Sequence, residues 1–82
     1  MWRVYCLRNK TLQQLYFDCS TDVQHDVRAL DEELGGKLKS WDFISHDVMC
    51  FDLDEHSDEK QAVAGVNKYV AAAPPPGWEV VR

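Results

Sequence analysis

Apolar positions recur with two different periods along the chain, and the switches between them predict the order of its elements. Residues 2–7 alternate, with Trp2, Val4 and Cys6 on one side and Arg3, Tyr5 and Leu7 on the other, as in a strand. Residues 14–19 alternate too, Leu15, Phe17 and Cys19 opposing Gln14, Tyr16 and Asp18. A two-residue turn at Lys10-Thr11 joins them into a hairpin and sets Tyr5 directly opposite Tyr16 on one sheet face. The period then lengthens. Ser20-Thr21-Asp22 offers helix N-cap side chains, Val23, Val27, Leu30 and Leu34 form one apolar stripe, and Gly35-Gly36 stops the helix.

After a loop holding Trp41 and Phe43, the segment Val48-Met49-Cys50-Phe51-Asp52-Leu53 reads as a third, central strand. Ser57 caps a second helix, with Asp58 and Glu59 in the first turn, where the helix dipole favours acids. Its apolar face is Ala62, Val63, Val66, Tyr69 and Val70. Gly65 sits inside that helix at a cost of about 1 kcal/mol relative to alanine, which predicts close packing there. Pro74-Pro75-Pro76-Gly77 must leave the helix as a rigid connector, and residues 78–82, with Trp78, Val80 and Val81, form a closing strand or tail. The expected fold is a small α+β domain spanning residues 1–82, an antiparallel β-sheet with packed helices in the order ββαβα(β).

Composition narrows the class. At 82 residues there is room for one domain. A content of 45% hydrophobic and 28% charged residues is that of a folded chain and excludes disorder. No apolar run approaches the roughly 20 residues that cross a bilayer, and the N-terminus lacks the basic-then-apolar pattern of a signal peptide, so a cytoplasmic location is expected. Cys6, Cys19 and Cys50 show no CxxC spacing and are expected to be buried, reduced thiols rather than a disulfide or zinc site.

The charge is asymmetric. The net charge is −5, yet residues 1–19 carry Arg3, Arg8 and Lys10 against Asp18 alone. Between Ser40 and Glu59 there are seven acids and neither lysine nor arginine. A nucleic-acid binder shows the opposite balance, since phosphate neutralisation supplies most of its affinity. Direct nucleic-acid binding is therefore not expected.

The element order and the two tyrosines together resemble the GIY-YIG nuclease domain over roughly residues 2–70. Arg3-Val4-Tyr5 matches the first motif and Tyr16-Phe17-Asp18 the second, with Asn9-Lys10 in the intervening turn. The resemblance implies a one-metal phosphodiester hydrolysis. In it a motif tyrosine positions the nucleophile, an arginine on the first helix stabilises phosphate charge, and a glutamate on the later helix binds Mg²⁺. Residue by residue, the chain keeps the tyrosines and departs elsewhere. The arginine position is Asp26. Arg28 lies about 200° further round the helix and is expected to face away. The glutamate position falls on Val66 or Lys68, with Glu59 more than a turn too early, and the motif glycines are Arg3 and Asp18.

Other constellations are explained by structure. Asp52, Asp54 and His56 alternate like the first ligands of a calcium loop, but Ser57 and Val63 stand where that loop needs glycine and glutamate. His25, His46 and His56 share no ligand spacing and read as surface residues. Trp2, Trp41 and Trp78 read as core or edge packing.

The leading expectation is a GIY-YIG-like domain that has lost catalysis, with no cofactor and with Tyr5, Tyr16 and Asp26 as vestigial positions. It would act as an acidic binding or regulatory module through Asp52, Asp54, Glu55, Asp58 and Glu59. The expected partner is a basic protein, one that itself binds nucleic acid being a candidate. Two alternatives remain open: a divergent Mg²⁺-dependent nuclease with ligands drawn from Asp18, Asp26 and Glu59, and an unrelated small α+β interaction protein.

Overall fold

The computed structural model describes residues 1–32, 38 and 40–81. Two strands, β1 (Trp2–Asn9) and β2 (Gln14–Ser20), form the expected hairpin; helix α1 (Val23–Glu32), strand β3 (Val48–His56), helix α2 (Glu59–Ala71) and strand β4 (Glu79–Val81) follow. The strands make one sheet in the order β3-β1-β2-β4. β1 is antiparallel to β2 and β3, whereas β4 runs parallel to β2. The sheet is therefore mixed rather than antiparallel. The Pro-rich connector carries the chain back to the starting edge of β2, so its last strand enters in the same direction as β2.

Three expectations about the sheet need correction. The hairpin turn spans four residues, Lys10 to Gln13, and Tyr5 pairs with Asp18 while Tyr16 pairs with Leu7. The slip is two residues, so each side chain keeps its face and Tyr5 and Tyr16 still share one. The cause is Asn9, fully buried, whose side-chain oxygen accepts from the Leu12 backbone N–H at 3.0 Å and organises a longer loop. Gln13 closes that loop in the left-handed region at φ 55°. Finally, β3 is an edge strand and β1 the central one. The apolar run in β3 is largely solvent-facing, Met49 being 46% exposed and Leu53 36%.

The sheet carries a layer on each side. On one face Tyr5, Leu7 and Tyr16 pack with Leu38 and Trp41, flanked by Val23, Val27 and Leu30 of α1 and by Phe43, Val48 and Val81. Trp41 fixes the intervening loop to the hairpin by donating its indole N–H to the Gln14 side chain at 2.7 Å. The expected stripe residue Leu34 and the stop at Gly35-Gly36 lie outside the described residues.

On the other face α2 lies across β1 and β2. Ala62 is fully buried, and the Tyr69 ring stacks on Phe17 at 5.7 Å. A Cβ added to Gly65 would stand 3.3 Å from both Val4 and His56, the close approach that its place in the helix foretold. Asp58, not Ser57, is the N-cap of α2; its carboxylate accepts from the Gln61 N–H at 2.8 Å. Val63, assigned to the buried stripe, is 43% exposed because it lies on the flank turned from the sheet. The connector resolves into a turn. The Trp78 N–H donates to Pro75 O at 3.0 Å, with Pro76 and Gly77 (φ 84°) at its centre, the proline-glycine pairing of a type II turn.

Candidate functional site

The two tyrosines occupy the face covered by α1, and the sequence explains how each element contributes. β1 alternation turns Tyr5 towards α1, and β2 alternation does the same for Tyr16 and Asp18. Asp22 caps α1, its carboxylate accepting from the His25 N–H at 3.2 Å, while the Ser20 hydroxyl accepts from the Asp22 N–H at 2.9 Å. That start sets the helix phase. Val23, Asp26, Val27 and Leu30 are the partly buried positions, and Arg28 is exposed, as its offset from Asp26 requires.

The tyrosines are not equivalent. The Tyr16 hydroxyl donates to Asp18 at 2.7 Å, and the other Asp18 oxygen accepts from the Cys19 N–H at 2.8 Å. Asp18 is thus a carboxylate held at both oxygens. Tyr5 is only 1% exposed. Burial first, then the negative charge of Asp18 and further groups including Asp26, pushes its phenol well above the ordinary tyrosine range. A phenol held protonated in this way is a poor base. Neither is the site a simple aromatic pair, because Tyr5 faces Asp18 across the strands.

Beside this cluster, α1 stands away from β3 and leaves an open groove. Its wider part, about 620 Å³, is lined by Arg3, Asp22, Val23, Cys50 and Asp52 among others. It continues into a more apolar part of about 460 Å³ with Val27, Arg28 and Phe43 in its walls. Cys50 belongs to both parts and is exposed, against the expectation of three buried thiols; only Cys6 is fully buried. Burial and then the neighbouring Asp52 charge raise the Cys50 thiol, which keeps it a weak nucleophile. Burial, the leading cause, lifts the Cys6 thiol to about 11.

The acids proposed for partner binding divide between two tasks. Arg3 meets Asp52 at 3.3 Å and Glu55 at 3.7 Å, all three side chains remaining about half exposed. Asp54 lies on the opposite face, since β1 pairs Val4 with Asp54 but Tyr5 with Asp52, and there it accepts from the Tyr69 hydroxyl at 2.9 Å. Leu53 is the extra residue of this bulge. Asp52 and Asp54 therefore point away from each other, which rules out the calcium-loop arrangement. Asp58 is the cap of α2, and Glu59 is exposed in its first turn. Of the alternative Mg²⁺ ligands, Asp18 and Asp26 lie on the Tyr5 side of the sheet, whereas Glu59 starts the helix that packs on the other side, against Val4. Among the described residues no group of three or more His, Cys, Asp and Glu is arranged to hold a metal ion.

Two histidines read as surface residues are partly buried. His46 Nδ1 accepts from the Asp42 backbone N–H at 3.0 Å and meets the Asn9 side-chain amide at 3.1 Å, tying the loop to the hairpin. His56 turns its Nε2, buried and unpartnered, towards Gly65. Spacing alone could not single these out, because each acts on a residue distant in sequence.

Comparison with protein-family models, with curated proteins and with solved structures yields no match. Among the described residues, no helix is long and apolar enough to cross a membrane.

Proposed function

We propose that this chain is a non-catalytic binding module, of GIY-YIG-like descent, that uses its acidic β3 side to hold a basic protein partner. One observation carries the proposal: the tyrosine face and the adjoining strand are acidic at both floor and rim. Asp18 and Asp26 bear on Tyr5 from inside, and Asp52 and Glu55 stand on the same face of β3 outside. Phosphodiester cleavage needs a cation where negative charge develops. Here the helix position that would supply it is a half-buried aspartate, and the nearest arginine on α1, Arg28, is exposed. The same sign of charge favours a lysine- or arginine-rich partner and speeds its encounter.

Descent from a nuclease is supported by the element order and by the shared face of Tyr5 and Tyr16 beneath α1. The binding role does not depend on it. Affinity capture from the native host with wild-type protein and with the double variant Asp52→Lys, Glu55→Lys tests that role. Expected is a basic protein retained by the wild type, lost with the variant and released by salt. Capture of the same proteins by both forms would overturn the proposal.

A further inference from the structure

Resting on that acidic-module reading, we infer that the partner binds by strand addition: an extended segment, alternating basic and apolar residues, pairs with the free edge of β3. Three features of the edge combine. Among the described residues β3 pairs with β1 alone, so alternate residues direct backbone N–H and C=O groups outward with no partner strand. The portion before the bulge, Val48 to Asp52, is regular, and its outward surface is unusually apolar for an edge. Met49 is 46% exposed, and Cys50 opens onto the groove walled by Val23, Val27 and Phe43. An added strand sends every second side chain onto the α1 face, where that groove offers room for apolar ones.

Charge selects the occupant. β3 holds Asp52, Asp54 and Glu55 with neither lysine nor arginine. A second copy of this strand brings the same acids and no lysine or arginine, so its self-pairing gains no charge complementarity. A cationic strand meets the opposite condition. The bulge at Leu53 limits pairing to the first half of β3, leaving the acids beyond it to attract the partner's flanking charges.

The test uses an array of blocked eight-residue peptides with lysine or arginine at alternate positions and varied apolar residues between. Each has a counterpart methylated at alternate backbone nitrogens, which keeps charge and side chains but cannot pair. Binding is followed by amide shifts and hydrogen exchange in the full chain. Expected are members that bind, slow exchange in Val48–Asp52, and lose at least tenfold in affinity on methylation. The Asp52→Asn, Glu55→Gln variant should bind them roughly fivefold more weakly. Equal binding by methylated peptides would overturn strand addition and leave the acidic-module reading standing. Binding by no peptide would overturn both. Slowed β3 exchange that grows with protein concentration alone would give the edge to a second copy and overturn the inference.

Discussion

At the residue scale, the two tyrosines that mark the hairpin have separate roles. Tyr16 donates to an ionised carboxylate, so Tyr16→Phe should cost about 1.5–3 kcal/mol by the usual worth of a charge-assisted bond. Tyr5→Phe should cost less than half as much, because the Tyr5 ring fills the core while its hydroxyl makes no hydrogen bond among the described residues. Urea unfolding of the two variants measures the difference. A pH prediction follows from the buried thiol of Cys6. An unfolded chain releases this proton near pH 9.0, whereas the folded chain keeps it to about 11. Across that window the unfolded state binds fewer protons, so stability falls as pH rises, and the raised Tyr5 phenol adds to the fall above pH 10.0. Thermal midpoints should drop between about pH 8 and about pH 10.5, less steeply in Cys6→Ala. The face shared by the tyrosines was legible from alternation. Their partners were not, because the register depends on a loop that Asn9 organises with one side-chain hydrogen bond.

At the element scale, periodicity located β1, β2, α1, β3 and α2, left residues 78–82 as a strand or tail, and did not give the sheet order. The segment Val48–Leu53 is as apolar as a central strand, and only the long-range pairing of β1 with both neighbours puts it at the edge. Likewise the parallel entry of β4 depends on where the Pro75–Trp78 turn delivers the chain. Gly77 adopts φ 84° there, with only the Gln13 side chain 4.0 Å from where its Cβ would lie. Gly77→Ala should therefore cost about 1–2 kcal/mol through backbone strain alone. Gly65 presents the reverse case, with ordinary helix geometry but no room. Gly65→Val should destabilise by about 1–3 kcal/mol through overpacking against Val4 and His56. Chemical denaturation of both variants checks the two mechanisms, and only Gly65→Val should also shift the Val4 and His56 resonances.

At the scale of the whole molecule, the charge asymmetry read from the sequence persists in three dimensions, though several acids are already engaged. Asp52 and Glu55 share Arg3, Asp54 meets Tyr69, and Asp58 caps α2. Sequence could count these carboxylates but not assign their partners, since Arg3 and Asp52 are 49 residues apart. What survives is an acidic, open-edged side of the sheet next to a tyrosine face on which the half-buried Asp26 of α1 bears. The proposed loss of catalysis is tested most directly by incubating the pure protein with branched and single-stranded DNA in Mg²⁺ or Mn²⁺ and following strand cleavage. The account predicts intact DNA throughout. Metal-dependent cleavage by the wild type that disappears in Tyr5→Phe would contradict it.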